Sequence, residues 1–209
     1  MAKVNKNIIT LDKGKDEIRE TILINIIKML THRRLLKNED FNKNLELLKK
    51  SKNEEEEYNL LLLDKKKYFI KFVSHKITTI NKSSGILDFL DTNIDNPFMI
   101  ISPEISTKPI KELKKKYLNA ELFLEHELLI NLMDHILVPE QHKIDVDTNE
   151  FLKEMNCKKK DFPRILLNDP VAKYLNLKEG EIIRIIRPSE SSGRSVSYRI
   201  ATRGKMNKK

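Results

Sequence analysis

A chain of 209 residues can hold one large or two small domains, each able to bury a core. Its 40 Lys and Arg against 31 Asp and Glu give a formal net charge of +9, which suits a polyanionic partner without requiring one. A single cysteine, Cys157, excludes an internal disulfide and fits a reducing compartment, and no apolar run approaches the ~20 residues that span a bilayer.

In chain order, residues 1–14 read as a frayed arm without the apolar stretch of a signal peptide, so the expectation is a soluble intracellular protein with no membrane partner. From Asp16, Ile18, Ile22, Ile26 and Leu30, with Leu23, Ile27 and Met29 beside them, recur at helical spacing and predict one buried face. Asp16 and Glu17 sit at the positive end of that helix's dipole. A second helix is predicted over Asp40 to Lys50, followed by a solvated, charge-dense loop, "KKSKNEEEEYN". "YNLLLL", "KYFIKFV" and "NPFMIIS" are short apolar runs bounded by Asp, Lys, Asn and Pro, as strands of a buried sheet would be. Helical segments are predicted around Ser84 to Leu90 and Lys108 to Leu118. Together these describe an α+β or α/β domain over residues 1–137.

"AELFLEHELLINLMDHIL" supports a helix by its Leu and Glu content and a strand by its short apolar pairs, and both stay open. Pro139 then marks a domain boundary, because the residue before proline is pushed out of the helical region. Residues 138–209 carry 16 Lys and Arg against 10 Asp and Glu, a net +6, whereas residues 1–137 carry 24 against 21, a net +3. "DTNEFLKEMN" predicts a helix opening at Asp147 or Thr148. In "LNDPVAKYLNLKEGE", Asp169 is the N-cap, Pro170 the first helical residue and Gly180 the turn into a strand. Ile182 to Ile186 is apolar on both faces. The last run alternates, with Val196, Tyr198 and Ile200 facing one way and Ser195, Ser197 and Arg199 the other. Between the two runs lies a long polar turn, Arg187 to Arg194, in which Ser189 caps and Gly193 takes a positive φ.

No Walker loop, dinucleotide fingerprint, nucleophile elbow or HExxH motif is present, and five glycines make a phosphate cradle hard to build. His32, His75, His126, His135 and His142 form no short pair of metal-ligand spacing, and Cys157 has no neighbouring cysteine. Asp64-Lys65-Lys66 approximates the acid, spacer and lysine of Mg²⁺-dependent nucleases, but it reads as a polar hairpin turn without an upstream acid. Arg184, Arg187, Arg194, Arg199 and Arg203 cluster around the final hairpin, where guanidinium forks suit phosphate or an acidic protein surface. The hairpin's one aromatic, Tyr198, is expected in the core, so no platform for stacking bases is offered and protein docking is favoured. A free-standing basic nucleic-acid-binding protein and a Mg²⁺ nuclease stay as alternatives.

"LVPEQHKI" and "FPRILLNDPVAKYLNLKEGEIIRIIRPSESSGRSVSYRI" resemble the fifth common subunit of eukaryotic nuclear RNA polymerases and its archaeal counterpart. The resemblance runs nearly unbroken from Leu137 to Ile200. "ELFLEHELLINLMDHILVPE" is similar to that family's junction between two domains, and before residue 120 the resemblance thins. The archaeal counterpart consists of the C-terminal module alone, so the additional N-terminal domain looks like the eukaryotic or large-DNA-virus form.

That resemblance implies an α+β protein of two domains: a noncatalytic, restriction-endonuclease-like jaw domain over residues 1–137 and a small assembly domain with a short basic tail over residues 138–209. It implies docking on the largest polymerase subunit, contact with other polymerase subunits, and weak, nonspecific attraction to downstream double-stranded DNA. No catalytic residue, cofactor or metal is implied, the chemistry and its Mg²⁺ belonging to other chains. Arg187, Pro188, Ser189, Glu190, Gly193, Arg194, Tyr198 and Arg199 become the expected polymerase interface, with Asp169, Pro170 and Gly180 structural. In "SPEISTKPIKELKKK", Ser106, Thr107, Lys108 and Pro109 approximate the family's Thr-Pro-Ser-Ala turn at the jaw tip. Lys111, with Lys114, Lys115 and Lys116, would add phosphate attraction. The Lys, Asn and Ile bias leans toward a large DNA virus, hence a viral factory in host cytoplasm and the virion; a cellular form would be nuclear.

Overall fold

Helix α1 (Lys15–His32) forms because its apolar residues return every three or four positions, and Ile22, Leu23, Ile26, Ile27, Met29 and Leu30 are each at most 3% exposed. The computed structural model describes residues 14–53, 55–80, 86–117 and 119–204. It divides into two units, Met1–Lys28 with Leu35–Ile130 and Met29–Arg34 with Asn131–Lys209, so the division passes through α1.

In the first unit α2 (Phe41–Lys50) precedes a four-stranded sheet of order β1 (Glu57–Leu61), β2 (Lys67–Phe72), β3 (Phe98–Ser102) and β4 (Ala120–Leu124). β1 and β2 are an antiparallel hairpin, while β2, β3 and β4 run parallel. Parallel neighbours need crossovers, supplied by α3 (Ile86–Thr92) and α4 (Thr107–Lys116). β3 is buried at all five positions, as befits a strand covered on both faces. One face packs Phe98, Ile100 and Leu122 against Phe89, Leu90, Leu113 and Tyr117 from the helical segments. On the other, the Arg19 guanidinium lies 5.9 Å above the Phe72 ring and pairs with Glu56 at 2.7 Å.

The run "KKSKNEEEEYN" departs from the solvated loop expected of it: Glu57 and Tyr58 open β1, and Glu55, Glu56 and Glu57 are used. Lys71, only 6% exposed, is register partner to Glu57 and holds it at 2.8 Å, with Glu55 at 3.3 Å and the Phe89 ring 5.2 Å away. A buried ammonium persists there because carboxylates from the charge run satisfy it. The ambiguous segment is strand and then helix. Ala120 to Leu124 finds a parallel partner in β3; then Glu127 accepts from the Leu124 backbone N–H at 2.8 Å and starts the one-turn α5 (Glu125–Leu128). The predicted helix from Ser84 begins among the described residues at Ile86, with 81–85 outside them.

The second unit carries a sheet of order β5 (Glu140–Lys143), β7 (Ile182–Ser189), β8 (Gly193–Thr202) and β6 (Arg164–Leu166). β5, β7 and β8 are antiparallel neighbours and β6 pairs parallel to β8. α6 (Thr148–Glu154) is capped by Asp147, which accepts from Asn149 N at 3.0 Å. α7 (Pro170–Tyr174) is capped by Asp169, which accepts from Val171 N at 2.9 Å, with Pro170 at the first position. Arg33, in the discontinuous Met29–Arg34 segment, donates from Nε to Tyr174 O at 2.6 Å and from Nη2 to Lys173 O at 3.2 Å, closing the carbonyl end of α7. Ile182 and Ile200 pack with Leu152, Phe151, Phe162 and Tyr198, and Ile165, Ile183, Ile185 and Ala201 are buried as well. The fold class is α+β, as expected.

Candidate functional site

Gly180, at φ 90°, turns the chain into β7 while its N–H donates to Ala201 O at 2.8 Å and its carbonyl accepts from Thr148 Oγ1 at 3.1 Å. The β7–β8 hairpin that follows is longer than its polarity predicts. Register pairs continue through Arg187↔Ser195, Pro188↔Arg194 and Ser189↔Gly193, leaving Glu190–Ser192 as the connection. The expected eight-residue turn is therefore a three-residue loop followed by Gly193 at φ 68°, a common hairpin closure. Polar side chains do not end a strand when its outer positions face water. Pro188 is tolerated because β5 pairs with β7 only as far as Ile186, so no neighbour on that edge needs its missing N–H.

The same register sorts the expected interface residues onto two faces. Pro188, Arg194 and Tyr198 share one face with Arg184, Ile186 and Val196, while Arg187, Ser189, Gly193 and Arg199 lie on the other. Glu190 sits in the connecting loop. Tyr198 packs its ring 5.1 Å from Phe151 and is half-buried. Val196 shares a face with Tyr198 and Ile200, as its alternation predicts, but it is 43% exposed and the apolar cluster around Leu152 does not include it. Arg184, Arg187 and Arg194 are exposed, and Arg203 pairs with Glu179 at 2.9 Å.

Residues outside the expected interface complete the first of these faces. β5 brings Glu140 opposite Ile186 and His142 opposite Arg184. Glu140 accepts a hydrogen bond from His142 at 2.8 Å, which, with the nearby charges of Arg194 and Arg184, holds its carboxyl below the usual carboxylate range. His142 in turn stacks on His32, with ring centroids 5.3 Å apart. Burial, and then the neighbouring His142, pushes the His32 imidazole below the ordinary histidine range. Sequence spacing gave no sign of this pair, because it joins the end of α1 to β5.

At the second expected site, Ser106 is the N-cap of α4 and its N–H donates to Ile77 O at 2.9 Å. Thr107 and Lys108 are exposed, whereas Pro109 is buried and supports the helix start instead of presenting itself. The helix opens at Thr107, so Pro109 falls in the first turn, where a missing N–H costs no helical bond. The side chains of Lys111, Lys114 and Lys115 lie outside the described residues.

The nuclease-like fragment is a turn. Asp64 Oδ1 accepts from Lys66 N at 3.2 Å, Leu62 N donates to Lys66 O at 2.9 Å, and Lys65 has φ 64°. Among the described residues no group of three His, Cys, Asp or Glu side chains is placed to hold a metal ion, and no helix is long and apolar enough to cross a membrane.

The family model described as "RNA polymerase Rpb5, C-terminal domain" matches residues 130–201. Over 202 residues the chain is 31% identical to "DNA-directed RNA polymerase subunit 5" of Acanthamoeba polyphaga mimivirus, covering 94% of this chain and 98% of that protein. It is 35% identical over 114 residues to "DNA-directed RNA polymerases I, II, and III subunit RPABC1" of Caenorhabditis elegans, covering 53% of this chain and 54% of that one. The corresponding subunit of Dictyostelium discoideum is 40% identical over 88 residues, covering 42% and 45%.

Proposed function

This chain belongs to the DNA-directed RNA polymerase subunit 5 family, and from that premise we propose that it docks on the largest polymerase subunit through its C-terminal hairpin and forms part of the lower jaw. It is a noncatalytic subunit of a DNA-directed RNA polymerase, with other polymerase subunits as its partners. The observation that carries this is the similarity to a giant-virus subunit 5 over nearly the full length of both chains.

Residues 138–209 act as the assembly domain. Docking uses the sheet face bearing Arg184, Pro188, Arg194 and Val196: guanidinium groups that reach acidic partners surround apolar surface that a neighbour can cover. Arg187, Ser189 and Arg199, on the opposite face, make a second contact zone, while Asp169, Pro170 and Gly180 hold the hairpin in place. Residues 1–137 act as the jaw domain, related in fold to restriction endonucleases but without their chemistry, since Asp64 is engaged in its own turn. Thr107 and Lys108, exposed at the start of α4, lie toward downstream DNA and attract its phosphates weakly and without sequence preference. The mimivirus relative supports a viral setting, and with it a viral factory in host cytoplasm and the virion as the location; a cellular form would be nuclear.

Affinity purification of the tagged chain tests this by recovering the large polymerase subunits. Arg194→Glu is expected to weaken that recovery about tenfold, the scale of one lost interfacial charge contact, and Arg187→Glu to weaken it less. Recovery of the chain alone under gentle conditions would sink the proposal.

A further inference from the structure

We propose that the open outer edge of β8, from Arg194 to Tyr198, is completed in the polymerase by an extended acidic strand of a neighbouring subunit, an inference that rests on the polymerase-subunit reading. In β8 the odd-numbered residues turn their backbone groups toward β7 and the even-numbered ones turn theirs away. Ala201 N donates to Glu181 O at 2.8 Å, whereas Ile200 N donates to Pro163 O at 2.9 Å and Thr202 O accepts from Leu167 N at 3.1 Å. That outer edge is occupied only where β6 pairs with Ile200 to Thr202. The next ladder donor along β6 would be Pro163, which has no N–H to give to Tyr198 O, so β6 carries the ladder no further. Five outward groups have no strand partner among the described residues: the carbonyls of Arg194, Val196 and Tyr198 and the N–H groups of Val196 and Tyr198.

Those groups select an extended backbone, because donors and acceptors that recur along one line at every second residue are matched by another strand. Five residues at ~3.4 Å each make a site ~17 Å long. Arg194 and Val196 are exposed, so the edge is open to solvent. In the first unit, by contrast, the outer edge of β1 is engaged by its own chain, Asn59 N donating to Ser51 Oγ at 3.0 Å and Leu63 N to Leu35 O at 3.1 Å.

Charge decides the kind of strand. Against Arg184, Arg187, Arg194 and Arg199 the β7–β8 hairpin carries a single acid, Glu190. Arg164, exposed at the start of β6, and Arg194 lie on the face of Val196 and Tyr198, Arg199 lies on the other, and none of the three forms an ion pair among the described residues. Glu140 feels the charge of Arg194, but its carboxylate is hydrogen-bonded to His142 at 2.8 Å. Acidic side chains on either face of an incoming strand reach these guanidinium groups. A second copy would set one basic edge against another, and Lys205 to Lys209 of this chain carry the same sign. A nucleic-acid backbone would suit the arginines but offers no donor to the three open carbonyls.

The test follows amide hydrogen exchange, residue by residue, in the full-length chain free and assembled with the polymerase, and compares Val196→Pro with Val196→Thr in dissociation from the polymerase. Proline at position 196 removes an N–H that points away from β7 and spares the hairpin ladder, while threonine keeps that N–H. Assembly is expected to slow exchange at Val196 and Tyr198 by roughly tenfold or more, and Val196→Pro to dissociate about tenfold faster than Val196→Thr. A photoreactive side chain at Ser192 is expected to capture a segment rich in Asp or Glu on another polymerase subunit. Exchange unchanged by assembly, equal dissociation of the two variants, or capture of a basic segment overturns the added strand, while co-purification of the wild type leaves the polymerase reading standing. Should the proline variant fail to fold, the exchange measurement on the wild type decides alone. Protection already present in the free chain also overturns it, in favour of a second copy where it rises with concentration and of this chain's own ends where it does not; protection that follows addition of duplex DNA does the same in favour of DNA. Failure of the wild type to bring down any polymerase subunit removes both readings, by a separate observation.

Discussion

In the first unit β3 is buried at every position between two covered faces, whereas in the second the β7–β8 ladder runs on past its apolar cluster into exposed Arg187, Pro188, Arg194 and Val196. The aromatic interior follows the same division: Phe89, Phe98 and Tyr117 stack edge to face in the first unit, while the second centres on Leu152, Ile182 and Ile200 with a half-buried Tyr198. The family model matches residues 130–201, all but one of them in the unit with the thinner core. The contrast teaches that the first unit's residues answer mainly to one another. In the second, on the proposed docking, exposed strand positions answer to a partner as well.

The contrast is broken most severely in the first unit. Phe98→Ala removes a fully buried ring between Phe89 and Tyr117 and is expected to cost about 3–5 kcal/mol, read as a loss of that unit's thermal transition. Lys71→Ala leaves Glu57 and Glu55 without their buried cation and is expected to cost about 1–3 kcal/mol in chemical denaturation, less in high salt. An equally stable variant would show the charge run to be merely solvated after all. In the second unit Asp169→Ala should cost about 1 kcal/mol, while Asp169→Asn, which keeps the capping oxygen, should cost a few tenths.

The smallest effect sharpens the comparison through pH. His32 has its imidazole held below the ordinary histidine value of ~6.5, so the unfolded chain takes up a proton there more readily than the folded one. Its contribution is complete above that value and declines as pH falls through it toward the folded-state value. Glu140, held below the usual carboxylate range, contributes in the same direction at lower pH, its share lost as acidification approaches its folded-state value. The second unit should therefore melt earlier as pH drops from 7.5 to 5.5, and His32→Gln should flatten that slope. A slope unchanged by the substitution would remove His32 as its source.

Much of the fold was legible because its signals are local. Asp169-Pro170 announces a capped helix, Ile22 to Leu30 a buried helical face, and the runs around Phe69 and Ile100 strands covered from both sides. The hairpin's length was not, since serine, arginine and proline look like loop until Gly193 to Ser195 is seen paired with Arg187 to Ser189. Nor was the sorting of candidate interface residues onto two faces, which depends on which residue of β8 meets which of β7. Glu140 and His142 were overlooked because nothing near them in sequence implied Arg184 and Arg194 as neighbours.

By itself the sequence determined the helical periodicities, the capped turns, the basic C-terminal third and the family, all properties of short stretches and their order. Tertiary structure alone decided that Met29–Arg34 belongs with the second unit, that Lys71 is satisfied by the acid run, that His32 stacks on His142 and that Ile136 and Leu137 stand in water. Each of these depends on residues distant in sequence, through the contacts they make or the cover they withhold, and register and burial exist only once the strands are paired.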